Sequence, residues 1–175
     1  MTVQIERERK FLVNHDVDPG SWSIPYTVTR ISQTYLRQTR EGAVERIRVQ
    51  ERGGQVDIIL CMKENLDPGT NRETESIVDI SSVEMMLLQE KADPTRGTIH
   101  KIRYTFDWND LTYELDVFEE PRLENALLEV EVDDLSQTIE IPPFLIDRDH
   151  GVCEVTGDPT WTNHQISLDA SSIDL

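Results

Sequence analysis

Like-charged residues two positions apart recur along this chain: Glu6 and Glu8 followed by Lys10, Arg46 and Arg48, Glu73 and Glu75, Lys101 and Arg103, Glu114 and Asp116, Glu129 and Glu131, with Lys63 standing alone. On an extended strand, residues i and i+2 project from the same face. For any single strand the ordinary reading is a solvated charged face opposite an apolar one. Acid–acid and base–base pairs repel, however, and a free surface gains nothing from repeating them on strand after strand. Convergent carboxylates hold a hard divalent cation, and convergent Arg and Lys side chains hold phosphate. The eight acids and six bases of the set sum to −2. One or two Mg²⁺ ions would bring that to neutral or slightly positive, ready for a triphosphate of charge about −4 to −5.

The elements that must position these residues are strands. Turn signals at "DPGS" (18–21), "RGG" (52–54), "DPGTN" (67–71), "DPTRG" (93–97) and "WND" (108–110) separate alternating runs at 5–13, 32–38, 44–51, 56–64, 72–80, 99–108, 111–120 and 126–134. The short links favour antiparallel hairpins. Eight strands closed into a barrel leave room for a small ligand, so the sequence predicts an α+β protein: an eight-stranded antiparallel β-barrel with a charged lumen. Its apolar strand faces (Ile47 and Val49, Leu115 and Val117, Leu128 and Val130) would pack outward against helices. "SSVEMMLLQEKAD" (81–93) predicts a helix with a Ser81/Glu84 capping box and a mixed face through Val83, Met86, Leu87 and Glu90. A weaker helix is expected between Pro19 and Arg30, and the tail reads as irregular with short helical turns.

Length and composition set the bounds. The 175 residues suit one domain, 1–175. A net charge of −17 argues against nucleic acid. No apolar run is long enough for a membrane helix, and no basic-then-apolar leader opens the chain, so a cytoplasmic location is expected. Cys61 and Cys153 are far apart and form no zinc or disulfide pattern. Thirteen of the 17 bases are Arg, the better bidentate partner for phosphate.

The ordered set resembles the CYTH superfamily, the triphosphate tunnel metalloenzymes. ExExK appears as Glu6-Arg7-Glu8-Arg9-Lys10, QxYL as "QTYL" (33–36), RxR as "RIR" (46–48) and the lone lysine as Lys63. The later strands follow in order: "RETE" (72–75), "HKIRY" (100–104), "YELDVF" (113–118) and "LEVEV" (128–132). "EVTGDPTWTN" (154–163) is similar to the ending of the short bacterial members, a group that includes inorganic triphosphatases. The resemblance implies an eight-stranded tunnel and Mg²⁺- or Mn²⁺-dependent chemistry on triphosphates. Carried over, Glu6, Glu8, Asp116, Glu129 and Glu131 are expected to bind metal. Lys10, Arg46, Arg48, Lys63, Lys101 and Arg103 are expected to grip phosphate. Glu73, Glu75 and Glu114 would hold those bases or a second metal. Tyr35 would place the terminal phosphate or the attacking water, and with Lys10, Glu73, Glu75 and Glu114 completes the expected catalytic group. Three departures bear on substrate fit: Cys61 where Thr is frequent, "EEPRLENA" (119–126) in place of a glycine-bearing hairpin, and Trp161 for Tyr.

Other residues read as structural. His15, His100, His150 and His164 share no metal spacing, Arg37 and Arg40 fall in a solvated turn, and Trp22 and Trp108 read as packing residues. The expected activity is hydrolysis of inorganic tripolyphosphate to phosphate and pyrophosphate. The alternatives are a class IV adenylyl cyclase, a thiamine triphosphatase and a non-catalytic polyphosphate or nucleotide binder. The partner expected is a small-molecule triphosphate, with no nucleic acid or membrane and with room for a homodimer.

Overall fold

The computed structural model describes residues 1–14, 16, 18–38, 42–146 and 151–170. Eight long strands run in sequence: β1 (Thr2–Asn14), β2 (Thr27–Tyr35), β3 (Ala43–Arg52), β4 (Gln55–Asp67), β5 (Thr70–Ile77), β6 (Ile99–Trp108), β7 (Leu111–Glu120) and β8 (Asn125–Glu131). Helix α1 (Ser82–Glu90) links β5 to β6, and a two-residue strand β9 (Cys153–Glu154) and helix α2 (Asn163–Ala170) form the tail. All pairings between strands are antiparallel, in the order β5-β4-β3-β2-β6-β7-β8-β1, and β1 also pairs with β5. The sheet therefore closes into the predicted eight-stranded barrel.

Local chemistry explains the corners. Gly53 and Gly54 both take positive φ between β3 and β4, the two-residue turn that matches strand twist. Asn109 (φ 48°) and Asp110 (φ 61°) do the same between β6 and β7, since Asn and Asp tolerate that region best among residues with a Cβ. The Ser81/Glu84 capping box forms as expected. The side chains of Val83 and Met86 lie outside the described residues, as do His15, Arg40 and His150.

The outward apolar faces of β6, β7 and β8 build the main core with Phe11 and Val13. What covers them is mostly not helical. The expected helix after Pro19 is a single 3-10 turn at Pro19–Ser21, because β2 already starts at Thr27. Trp22 follows that turn and packs on Phe144, Phe106 and Tyr104 at centroid distances of 5.0, 5.2 and 5.9 Å. Trp22 and Trp108 are thus packing residues, as the sequence suggested.

A second cluster sits inside one end of the barrel. Ile99, Phe118 and Leu127 share the inward face with Lys101, Asp116 and Glu129, and they meet Tyr35 and Ile166 of α2. The lumen is therefore charged through its middle and apolar at this end, where α2 contributes to the plug. The tail is fastened on the way. Arg9 donates to Glu154 through Nε and Nη2, at 2.8 and 2.7 Å. Backbone N–H of Lys10 donates to Thr156 Oγ1, and that of Val155 to the Lys10 carbonyl. Gly157 (φ 75°) is required where the tail passes the β4–β5 turn, because a Cβ there would lie 2.8 Å from the Pro68 Cβ.

Candidate functional site

Fourteen charged residues were expected in the lumen, and all but Asp116 line one cavity of about 180 Å³. Strand register explains the convergence. Lys10 stands opposite Glu129 and Glu8 opposite Glu131 across β1 and β8, while Lys63 stands opposite Glu73 across β4 and β5.

The acids and bases are interlocked. Glu73 accepts from Arg46 at 2.6 Å, with Arg48 at 3.5 Å and Lys63 at 3.7 Å. Glu75 accepts from Arg48 at 3.0 Å, and Glu114 from Arg103. Each of these three carboxylates is paired with at least one base. Lys10 lies 2.5 Å from Glu129 and 3.1 Å from Glu8, and Lys63 lies 3.0 Å from Glu8 and 3.4 Å from Glu6. Burial opposes the charge on Glu73, but Arg46 and Lys63 outweigh it and bring its carboxyl down to about 2. Burial, reinforced by a hydrogen bond with Glu73, pushes Glu6 up to about 8.

Asp116 is the most deeply buried of the expected metal carboxylates, at 0% exposed, and like Glu129 it spends both oxygens on protein cations. Arg103 binds it through Nε and Nη2 at 2.6 and 2.7 Å, and Lys101 Nζ at 2.5 Å. Burial and the neighbouring Arg103 bring Lys101 down to about 8 despite the Asp116 contact. Tyr35 stands opposite Arg46 across β2 and β3. It is 2% exposed, its hydroxyl accepts from Gln33 Nε2 at 2.7 Å, and it borders the plug rather than the charged cavity.

The donor set suits a divalent cation at one position. Glu8, Glu114, Glu129 and Glu131 line an acidic space of about 200 Å³ beside the main cavity. Glu8 Oε2 is buried and makes no hydrogen bond, although Lys10 Nζ lies 3.1 Å away. Burial and the charges of Glu114 and Glu8 push the Glu131 carboxyl up. Clustered carboxylates in mutual repulsion are hard-cation ligands. No three of the five expected metal carboxylates bring ligand atoms within 4.8 Å of one another; Cys61, Glu73 and Glu75 do. That trio is a poor metal site, because Arg46, Arg48 and Lys63 already neutralise its carboxylates.

Two features escaped the sequence reading. Next to the plug, a chamber of about 310 Å³ opens onto Lys10, Arg46 and Lys63, with a mixed polar and apolar wall from Tyr35, Val44, Pro68, Pro159 and His164. Asn163, at the start of α2, lines both this chamber and the lumen. Loops and tail supply most of these residues, and they carry no period to read. His164, expected to be structural, packs edge-on against Tyr35 at 5.0 Å. His100 is exposed and points away from the lumen, and Arg37 is exposed.

No protein-family model and no curated protein sequence matches the chain. Solved structures do. The inorganic triphosphatase NE1496 is 25% identical with a TM-score of 0.54, covering 93% of this chain and 94% of its own. HpAC1 from Hippeastrum, named as an adenylyl cyclase and described as having a dominant triphosphatase activity, is 16% identical (TM-score 0.51, 74% of this chain and 80% of its own). PH1819 from Pyrococcus horikoshii OT3 is also 16% identical (TM-score 0.56, 75% and 80%). The two more distant structures speak for the fold alone.

Proposed function

We propose, for a chain that belongs to the CYTH superfamily by motif order and tunnel fold, that the lumen binds a triphosphate and hydrolyses its terminal anhydride with the help of Mg²⁺ or Mn²⁺. Inorganic tripolyphosphate is the substrate proposed. The observation that carries this reading is the convergence of six bases and a cluster of carboxylates on one cavity, with a buried carboxylate oxygen left without a hydrogen bond.

The chain's own residues divide the work. Arg46, Arg48, Lys63 and Lys10 exchange their carboxylate partners for phosphate oxygens, and Lys101 and Arg103 meet the chain from the opposite wall. Glu6, Glu8, Glu129 and Glu131 would hold the metal once those bases turn to phosphate, while Asp116 stays paired with Lys101 and Arg103 and aims them. A bound divalent ion supplies charge neutralisation on the phosphate oxygens. Water attacks the terminal phosphorus, the P–O bond to pyrophosphate breaks, and a lumen carboxylate takes the water's proton. Tyr35, hydrogen-bonded to Gln33 beside the plug, is better placed to hold the lumen's floor than to carry that proton.

The mixed chamber beside Lys10, Arg46 and Lys63 favours a second reading, in which the triphosphate carries an organic head. A class IV adenylyl cyclase and a thiamine triphosphatase are the two forms of it.

A panel of tripolyphosphate, ATP and thiamine triphosphate, with Mg²⁺, Mn²⁺ or excess chelator, separates these readings. The expected outcome is phosphate and pyrophosphate from tripolyphosphate, abolished by chelator and by Glu131→Gln in a protein that still folds. Full activity in chelator sinks the metal. Cyclic AMP from ATP, at rates above tripolyphosphate cleavage, replaces the hydrolase by the cyclase. Triphosphates that raise the melting temperature without turnover make the protein a binder.

A further inference from the structure

The amide of Asn163 lies where the lumen meets the chamber, and its orientation is chemically forced. Oδ1 sits 3.2 Å from Lys101 Nζ. An ammonium offers only donors, so the amide must present its oxygen there and its nitrogen must point away. That nitrogen makes no hydrogen bond to any described residue. It is half-buried in the wall shared by both cavities.

The other amide side chains lining the lumen show how unusual this is. Gln33 Nε2 donates to Tyr35 Oη at 2.7 Å, and Gln4 Nε2 donates to Glu6 Oε1 at 2.5 Å. Each uses one N–H on a lumen neighbour, whereas neither N–H of Asn163 is bonded to a described residue. An amide whose oxygen accepts from a cation is also polarised into a stronger donor. Around it stand Lys10, Arg46 and Lys63, the bases that border both spaces. An anion held by these three would place an oxygen within the amide's reach.

We propose that Asn163 is a substrate-contacting residue: its Oδ1 holds Lys101 while its Nδ2 donates to an oxygen of the bound phosphate chain at the plug end of the lumen. This rests on reading the lumen as a triphosphate site. It gives the "EVTGDPTWTN" tail a role beyond closing the barrel. The Arg9–Glu154 and Lys10–Thr156 contacts fasten the segment so that its last residue delivers a donor to the phosphate.

The test is calorimetric binding of a non-hydrolysable imido analogue of tripolyphosphate, in the presence of Mg²⁺, to the full chain and two variants. Asn163→Ala removes both functions of the amide. Asn163→Asp keeps an acceptor for Lys101 and removes the donors. Melting temperatures are recorded alongside, so a loss of fold is seen directly. The expected result is roughly tenfold or greater loss of affinity in Asn163→Ala, the scale of a hydrogen bond to a charged group, and at least as large a loss in Asn163→Asp with its melting temperature preserved. Binding by Asn163→Ala within twofold of the parent overturns the proposal. So does a loss in Asn163→Ala that Asn163→Asp restores, since the amide then acts only through Lys101. Either failure leaves the triphosphate reading standing, because the parent still binds the analogue. If the parent does not bind it, that reading and this inference fall together.

Discussion

The two halves of the barrel carry the same kinds of charge on very different backing. On the β6–β7–β8 side one cluster is sealed: Asp116 is 0% exposed and Lys101 2%, and Arg103 ties them to Glu129 and to the more open Glu114. Behind them lies the main core, with Tyr113, Leu115, Leu128 and Val130 all buried. On the β3–β4–β5 side Lys63 and Glu75 are partly open to solvent. The far side of that wall is thin, with Val56 59% exposed and Ile77, at the end of β5, 76% exposed. A core-backed wall can hold unfavourably buried charges in one arrangement, since moving them means moving the packing. The thin wall has less to stop its bases from changing partners. On the function proposed above, the β6–β8 wall would serve as the fixed template, and Arg48 and Lys63 as the grips that adjust.

The largest effect should come from cutting the sealed network. Asp116→Asn removes the charge facing both Arg103 and Lys101, and breaking one side of a buried pair costs about 3–5 kcal/mol. Glu75→Gln on the thin wall faces only Arg48 in a partly exposed pair, for which about 1 kcal/mol or less is expected. Urea denaturation of the two variants checks the contrast. Equal losses would mean that the two walls are energetically alike.

The same asymmetry should appear on the outside of the barrel. Leu115→Ala opens the buried core behind the sealed wall, at a cost of about 2–5 kcal/mol. Val56→Ala trims a side chain that is mostly in water, and a change within about 0.5 kcal/mol is expected. If Val56→Ala costs as much as Leu115→Ala in the same denaturation assay, the outer face of β4 is covered in solution and the thin-wall description fails.

Both walls were legible in the sequence because the signal was periodic. Like-charged pairs at i and i+2 assign the lumen face whatever lies around them, and "RGG" and "WND" fix hairpins that set the register. What did not repeat was not legible. The plug needs Ile99, Phe118 and Leu127, each one step beyond a charged pair on its own strand, where alternation alone predicts nothing about an end cap. Asn163 and His164 come from a tail whose helix has too little apolar pattern to announce a buried face. The ExD pair reads like the other acidic pairs, and its ion pairs are no part of that pattern. Only the packing shows that Arg103 and Lys101 occupy both oxygens of Asp116.

The finest distinction between the walls is their pH dependence, measured in chelator so that no metal contributes. On the sealed wall, burial works against the charges of Asp116 and Glu129. Arg103 and Lys101 beside Asp116, and Lys10 and Arg103 beside Glu129, nevertheless hold both carboxyls below their ordinary values. Groups with depressed folded values contribute stability above their unfolded values, and that contribution is lost as pH falls through the folded ones. They act only on the acid side. Glu6, whose partner Glu73 stands on the thin wall, is shifted the other way, from 4.5 to about 8, first by burial and then by Glu73. A raised folded value contributes stability that is complete below 4.5 and fades as pH rises through about 8. Between pH 5 and 8 the melting temperature should therefore fall by a few degrees, since about 1 kcal/mol moves the midpoint of a domain this size by about 2–4 °C. Glu6→Gln, which cannot ionise, should flatten that slope while leaving the acid limb in place. A flat profile in the parent, or an unchanged slope in Glu6→Gln, would mean that Glu6 is ionised at neutral pH.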